Sequence, residues 1–117
     1  MKLKDYSSEE VVTLELGGKV MACDELTKFR GMVEYYLDLH KKSFVIDLQH
    51  VDWMSSAGLG ALVSAYTSVN RVGGKFALAN ITNIQNLLNI TQLVRVFDSF
   101  DSRADAIQAV VKHPVTS

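Results

Sequence analysis

Alternating apolar and polar residues mark the first predicted strand. In residues 11–16, VVTLEL, the side chains of Val12, Leu14 and Leu16 fall on one face, a pattern typical of a half-buried strand. The pair Gly17-Gly18 then predicts a turn, and residues 19–21 predict a short second strand. The sequence therefore predicts a hairpin at the start of a structured region that begins near residue 10.

A helix and a buried strand follow in the pattern. Apolar residues recur every three or four positions from residue 24 to about residue 39, which predicts an amphipathic helix with Asp24 as its N-cap. The residues of its apolar face are Leu26, Phe29, Met32, Val33, Tyr36 and Leu37. The next segment, FVIDL at residues 44–48, is nearly all apolar. Such a run predicts a central strand covered on both faces.

The rest of the chain continues the alternation of helix and strand. A second helix is predicted to start near Gly58 and to end at Gly73-Gly74, with Leu59, Leu62, Val63, Tyr66 and Val69 as its apolar residues. The remaining predicted elements are a strand at residues 75–79, a short helix capped by Thr82, a strand at 94–97 and a helix capped by Asp101 or Ser102. That last helix would turn Ala104, Ile107, Val110 and Val111 inward.

This order of elements, β-β-α-β-α-β-α-β-α, indicates an α/β fold. Strands that alternate with helices form a mostly parallel or mixed sheet with right-handed crossovers. In such sheets, functional sites form in the loops after the carboxyl ends of the strands. Two serines, Ser55 and Ser56, lie in one of those loops.

Composition fits a single domain of 117 residues, with 48% hydrophobic and 21% charged residues. The net charge is −1 and the basic residues are scattered, so the sequence lacks the basic patch of a nucleic-acid-binding protein. The N-terminus does not resemble a signal peptide, and no apolar run approaches the roughly 20 residues of a membrane span. We therefore expect a cytoplasmic protein, whose structured part ends near residue 112, before Pro114 in a polar tail.

Metal binding and cofactor binding are not predicted. His40, His50 and His113 are far apart and share no ligand spacing with the single cysteine, Cys23. A structural zinc site needs about four such ligands. We expect these histidines to be solvated surface residues.

Two glycine-containing segments resemble nucleotide loops only in part. The segment Gly73-Gly74-Lys75-Phe76 has Phe76 where a phosphate loop requires serine or threonine, and Val69 where it requires the earlier glycine. The segment GLG at residues 58–60 begins like a dinucleotide fingerprint, but Val63 replaces its third glycine. The first segment is predicted to be a helix end followed by a turn.

Catalysis by a serine or by paired carboxylates is also disfavoured. The residue before Ser55 is Met54, and no G-x-S-x-G pattern surrounds either serine. A triad would also need an orienting acid for His50. Asp47 and Asp52 have no partner motif for acid–base chemistry, and Asp47 is predicted to bond to nearby loop backbone. We do not expect an enzyme.

Two compatible roles remain for the serine pair. One of the two hydroxyls is expected to cap the following helix, which contributes about 1 kcal/mol. One hydroxyl could also accept a phosphate, because Ala57 and Gly58 leave the serines sterically open. A capping serine can itself be modified, so these alternatives do not exclude each other.

At this loop the sequence resembles STAS domains, specifically bacterial anti-sigma factor antagonists. The resemblance is carried by VIDLQHVDWMSSAGLGALVSAYTSVNRVGGKFALANI, residues 45–81, and supported by LELGGKV (14–20) and NLLNITQLVRVF (86–97). It covers roughly residues 10–112. It implies a single STAS domain over 1–117, with a mixed sheet of four to five strands and about four helices packed mainly on one face.

The resemblance also implies a function. Relatives bind an anti-sigma factor that is also a serine kinase, and this kinase phosphorylates the serine that aligns with Ser56. Phosphorylation weakens the complex, and a metal-dependent serine phosphatase reverses it. The implied partner-binding surface extends over residues 53–63, with Ser55 as a competing phosphorylation site. Its main residues are Trp53, Met54, Ser55, Ser56, Ala57, Gly58 and Leu59; of these, Leu59, like Val63, is at least as easily explained as core.

Two departures from the family pattern concern charge. Many relatives have aspartate where this chain has Ser55, and many have another aspartate where it has Met21. The family also includes constitutive subunits of stress-signalling and lipid-transport complexes. A subunit that does not depend on phosphorylation is therefore the alternative function, and a nucleotide-binding domain is a more distant one.

Overall fold

Five strands form one mixed sheet in the computed structural model, which describes residues 1–111. The strands are β1 (Lys2–Ser7), β2 (Val12–Val20), β3 (Ser43–Met54), β4 (Lys75–Ala79) and β5 (Asp98–Phe100). They lie in the order β1-β2-β3-β4-β5, with β1 antiparallel to β2 and all other neighbours parallel. The predicted α/β fold with a mixed sheet is confirmed. The predicted polar tail, with Pro114 and His113, lies outside the described residues.

Four helices occur in the predicted order within residues 1–111, three of them between strands and the fourth after β5. They are α1 (Asp24–Asp38), α2 (Ser56–Arg71), α3 (Gln85–Ile90) and α4 (Arg103–Val110), with short 3₁₀ turns at Thr82–Ile84 and Leu93–Arg95. Within residues 1–111, no helix combines the length and the apolar character needed to cross a bilayer. Two predicted caps are wrong: Cys23 rather than Asp24 is the N-cap residue of α1, and Thr82 caps nothing with its side chain. Of the two candidates before α4, Ser102 is the cap.

The two faces of the sheet bury different side chains because neighbouring residues of a strand point to opposite sides. On one face, the large side chains of Leu14, Phe44 and Leu78 pack with Phe29 of α1 and Leu62 of α2. The core on this side also includes Leu88 of α3. Three of the four helices therefore pack on one face, in agreement with the prediction.

Among residues 1–111, α4 is the helix that covers the other face. Val45, Ala77 and Ala79 of the central strands contact Ala106 and Val110 in a second, smaller core. The alanines leave room for the helix to lie close to the sheet. Ala104 was expected to point inward but is exposed, whereas Ala106 is fully buried.

The predicted hairpin at Gly17-Gly18 is wrong. β2 runs through both glycines without turning back, and Gly18, with φ of +74°, allows an irregularity in its pairing with β3 instead. The true hairpin partner of β2 is β1, before the predicted start of the structure near residue 10. The segment KLKDYS gave no strand signal because only Leu3 in it is partly buried.

A buried tyrosine attaches this edge strand to α1. Tyr36 donates a 2.5 Å hydrogen bond from its hydroxyl to Oδ2 of Asp5. This bond to a carboxylate, together with burial, raises the pKa of Tyr36 to about 12. β1 is thus held by a side chain of the first helix as well as by its ladder with β2.

The last strand lies later in the chain than predicted. Residues 93–95 form a 3₁₀ turn, which follows Gln92 in the left-handed region with φ of 62°, and the strand occupies Asp98–Phe100. The apolar residues Val94 and Val96 gave the strand-like pattern, but both are exposed, whereas Phe97 is buried. Phe97 packs in edge-to-face contact with Tyr66, with ring centroids 5.6 Å apart.

Candidate functional site

The serine pair lies where β3 passes directly into α2. β3 extends to Met54, six residues beyond the predicted end at Leu48, so most of the expected loop is strand. Ser55 has an extended backbone, with φ of −84° and ψ of 173°, and Ser56 is the first helical residue. The helix therefore starts two residues earlier than the sequence pattern suggested.

Ser55 is the helix cap. Its hydroxyl oxygen accepts a hydrogen bond of 3.2 Å from the Gly58 backbone N–H, and its carbonyl accepts one of 2.9 Å from Leu59. Its own N–H donates to the carbonyl of Val20, at 2.8 Å. The prediction of a capping serine is confirmed. Through these three hydrogen bonds, Ser55 connects the turn both to its own helix and to the end of β2.

Ser56 is exposed, and its hydroxyl makes no hydrogen bond to any group within residues 1–111. It stands in the first turn of a 16-residue helix. The free N–H groups and the helix dipole give this end a partial positive charge. A negatively charged group on Ser56 would be stabilised there. Ser55 differs, because it is half-buried and its hydroxyl already caps the helix.

At position 58 the turn requires glycine, because there is no room for a side chain. A Cβ at this position would lie 2.8 Å from Val20 Cγ1, 2.8 Å from Met54 Cγ and 2.9 Å from the Val20 carbonyl oxygen. Gly60 is different, since a Cβ there would meet no atom within 4 Å. The start of α2 is thus pressed against the ends of β2 and β3 at Gly58, while Gly60 faces open space.

The seven predicted contact residues divide by burial. Trp53 is 49% exposed, and Ser56 and Ala57 are also exposed. Met54 and Leu59 are only 4% and 7% exposed and belong to the main core, and Gly58 is buried beneath them. The surface that a partner could touch directly therefore consists of Trp53, Ser56 and Ala57, with part of Ser55.

Two further features belong to this surface, namely Met21, which the resemblance singles out, and a groove that was not predicted from the sequence. Met21, which follows the last residue of β2, is 42% exposed beside the turn. On the other side, a shallow groove of about 410 Å³ lies between the beginnings of α1 and α2, and its lining includes Ala22, Cys23 and Ala57. Only tertiary structure brings the beginnings of α1 and α2 together, so no local pattern could identify the groove.

Asp47 and Asp52 do not form a carboxylate pair. Asp47 is 1% exposed, and its Oδ1 accepts bonds of 3.0 Å from the Gln49 N–H and from Asn80 Nδ2. Its Oδ2 accepts a 2.7 Å bond from Arg103 Nε. Asp52 is exposed and lines a different groove. Asp47 does bond to nearby backbone, but the prediction that this backbone belongs to a loop is wrong, because Gln49 lies within β3. The ion pair with Arg103 was missed because it spans 56 positions.

The Asp47 carboxylate remains ionised despite its burial. Burial alone would raise its pKa, but the hydrogen bonds from Asn80 and Gln49 and the charge of Arg103 outweigh that effect and lower it. Arg103 also donates a 2.6 Å bond from Nη2 to Glu15 Oε2. The cluster connects β2, β3 and α4, and its charges are used in holding the fold together.

The other chemistry considered from the sequence has structural explanations. Gly73, with φ of +76°, ends α2, and Gly74 packs against the Lys42 carbonyl and Val69, where any side chain would clash. The prediction of a helix end and a turn is confirmed. Within residues 1–111, no three His, Cys, Asp or Glu side chains are grouped as metal ligands.

Comparison with known proteins identifies relatives of this architecture. A sequence profile of the STAS domain matches residues 4–106. No curated protein matches the chain by sequence.

Among solved structures, a candidate anti-sigma factor antagonist from Thermotoga maritima superposes with a TM-score of 0.83 at 22% identity, covering 94% of this chain and 95% of that one. SpoIIAA, a Bacillus cell fate determinant, in its phosphorylated form gives 0.75 at 15% identity, covering 93% and 99%. A sulfate transporter family protein from Wolinella succinogenes gives 0.69 at 16% identity, covering 90% and 88%. At these identities the superpositions show a shared fold.

Proposed function

This chain belongs to the STAS domain family, and from that premise we propose that it is a bacterial, cytoplasmic anti-sigma factor antagonist controlled by phosphorylation of Ser56. One observation carries the proposal. Of the two serines, Ser55 is engaged as the helix cap, whereas Ser56 presents an exposed hydroxyl without a hydrogen bond in residues 1–111. The Thermotoga maritima protein and SpoIIAA in its unphosphorylated form are both described as anti-sigma factor antagonists, and the fold shared with them supports the choice among STAS functions.

The unmodified surface suits protein binding. Trp53, Ser56 and Ala57 are exposed and uncharged, and tryptophan is enriched among the residues that dominate interface energies. The partner is an anti-sigma factor that is itself a serine kinase. When this factor is held by the antagonist, the sigma factor is free.

Phosphorylation changes this surface by charge. A phosphate on Ser56 adds about −1.5 to −2 charges at pH 7. The helix end stabilises the charge while it is in water, so the modified protein remains folded. Burying the same group in a complex without a counter-charge costs several kcal/mol, so the partner dissociates. A metal-dependent serine phosphatase restores the binding form, and the domain itself performs no catalysis.

Affinity capture from the native cell, with and without phosphatase treatment, tests the proposal. We expect an anti-sigma factor with a kinase domain to be recovered more strongly after dephosphorylation. With this purified kinase and ATP, the chain should gain one phosphate, located by peptide mapping on Ser56. A phosphate found only on Ser55, Thr67 or Ser68 would contradict the assignment.

The alternative function is that of a constitutive STAS subunit of a larger complex. We retain this alternative because the chain shares its fold with a sulfate transporter family protein. Substitution at Ser56 separates the two functions. The phosphoswitch predicts that Ser56→Ala binds constitutively and that Ser56→Glu binds more weakly, although one carboxylate imitates a phosphate poorly. Equal affinity of the two variants would instead support the constitutive subunit.

A further inference from the structure

The outer edge of β1 is the longer of the two open edges of the sheet. β1 pairs with β2 on one side, and within residues 1–111 no strand pairs with its other side. β1 has six residues, whereas β5 at the opposite edge has three. Along an edge strand, every second residue directs its backbone N–H and carbonyl away from the sheet, where an extended segment can bond to them.

This edge is already ordered without a partner. Tyr36 of α1 donates its hydrogen bond to Asp5, in the middle of the strand. Lys41 donates from Nζ to the carbonyl oxygens of Ser8 and Glu9, at 3.1 and 3.3 Å, in the turn after the strand. Because the strand is held from both its middle and its end, binding a partner costs it little conformational entropy.

Two lysines give the edge its charge. Neighbouring side chains of a strand alternate between the faces of a sheet, so Lys2, Lys4 and Tyr6 share one face. This is the side of α4, where the Arg103 guanidinium lies 5.2 Å from the Tyr6 ring centroid. Lys2 and Lys4 are exposed, and neither forms an ion pair within residues 1–111.

The carboxylates near these lysines lie on the inner side of β1. Glu15 of β2 is opposite Lys4, and it is bonded to Arg103 at 2.6 Å. Asp52 lines the same groove from β3. An added strand would lie on the other side of β1, about 4.8 Å away. The long lysine side chains can therefore reach a carboxylate of such a strand without displacing either of these groups.

The sequence of β1 disfavours pairing with a second copy of itself. Residues that lie opposite each other must share a face, so a two-fold axis between two antiparallel copies passes through one residue position. The two registers with the longest overlap centre on Lys4 and on Asp5. The first sets two lysines opposite each other and the second two aspartates, and like charges directly opposite destabilise a strand pair.

We propose that the outer edge of β1 binds an extended segment of a partner protein by strand addition, with acidic residues of that segment opposite Lys2 and Lys4. Backbone hydrogen bonds supply affinity, and the two lysines supply selectivity. Lysines on a sheet edge disfavour strands without a matching charge, so the same residues exclude neutral and basic segments. This site does not depend on phosphorylation of Ser56.

Two synthetic peptides, each about as long as β1, test the proposal on the full chain. One alternates glutamate with valine, and the control peptide alternates lysine with valine. The acidic peptide, at about 1 mM, should slow amide hydrogen exchange in β1 by about tenfold. Lys4→Glu should raise the Kd of this peptide by about tenfold. The matched control is Lys28→Glu, at an exposed lysine of α1, which should change the Kd by less than about twofold.

Three results would overturn this inference. Unchanged exchange in β1 would exclude strand addition, and equal Kd values for the two peptides would exclude selection by charge. Equal losses in Lys4→Glu and Lys28→Glu would show a general attraction rather than a site at the edge. Dimers of the parent that Lys4→Glu disrupts would assign the edge to a second copy. Because no arm uses the anti-sigma kinase, failure here leaves the proposed function standing.

Discussion

Arg103, the first residue of α4, donates a 2.7 Å hydrogen bond from Nε to Oδ2 of Asp47, a carboxylate that is 1% exposed in β3. The pair connects α4 to the central strand of the sheet. α4 also packs on the sheet through an apolar core that includes Val45 and Val110, and the ion pair adds a buried polar attachment to these contacts.

Asp47→Asn should therefore lower the free energy of unfolding at pH 7 by about 2 kcal/mol. This is less than the roughly 3–5 kcal/mol for a fully buried pair, because Arg103 is partly exposed and keeps its bond to Glu15. Urea unfolding measures the change. Asp52→Asn, at an exposed position, should alter the free energy of unfolding by less than about 0.5 kcal/mol. Equal losses in the two variants would show that the buried carboxylate stabilises the fold no more than an exposed one does.

The Asp47 carboxylate should also make the stability of the fold depend on pH in the acid range. The pKa of Asp47 is lower in the folded state than the ordinary value of about 3.9, so its contribution is fully present above that value. It is lost as the pH falls through the folded-state pKa. Stability of the parent should decline more steeply below pH 4 than that of Asp47→Asn. Parallel curves for the two proteins between pH 5 and pH 2 would contradict the lowered pKa.

Gly58→Ala should destabilise the protein by about 1–3 kcal/mol, since its Cβ would overlap Val20 and Met54. Gly60→Ala, two residues along the same helix, should stabilise by roughly 0.5–1 kcal/mol because the space is open and alanine favours the helix. Chemical denaturation of the two variants gives the comparison. If both variants were more stable than the parent, the ends of β2 and β3 would have to shift to accommodate the methyl group added at position 58.

Ser55→Ala should cost about 1 kcal/mol, because the Gly58 N–H loses its acceptor. Ser56→Ala should cost less, since its hydroxyl makes no bond within residues 1–111. Thermal unfolding of both variants measures the difference. A larger loss for Ser56→Ala would show that the two hydroxyls have been assigned the wrong roles.

Ser55→Asp should keep the cap and preserve partner binding, because a carboxylate accepts the same N–H and is favoured at a helix start by about 0.3–1 kcal/mol. We expect Ser56 in this variant to be phosphorylated at least as fast as in the parent, because positioning of the hydroxyl outweighs a repulsion that salt screens. Initial rates at two ionic strengths test this. A slower rate at low salt that recovers at high salt would show that repulsion dominates.

Whether an element of this fold can be predicted from the sequence depends on whether its pattern of residues is local. The buried strand predicted at residues 44–48 follows from its continuous run of apolar residues, and both long helices follow from their own periodicity. β1 could not be found this way, because its stabilising contacts come from β2 and from Tyr36. At Gly17-Gly18, the pattern for a turn and the pattern for an irregular strand are the same, and only the pairing with β3 distinguishes them.

The candidate site shows the same division. The cap was predicted from residue type and position, but which serine fills it depends on where β3 ends. Burial of Met54 and Leu59 required knowledge of the core beneath the turn. The ion pair of Asp47 depends on a contact between distant segments, which a single sequence does not encode in any local pattern, and Met21 was singled out only through the family resemblance.

The close approach of Gly58 to Val20 also has an evolutionary consequence. A side chain at position 58 would meet Met54 and the carbonyl oxygen of Val20 as well as the Val20 side chain, so it can be accepted only if the helix start moves away from the strand. Relatives should therefore keep glycine at position 58, and those that lack it should show a displaced helix start. Lineages that keep the glycine remain free to vary the neighbouring exposed positions, so partner choice can diverge while the geometry of the turn is inherited unchanged.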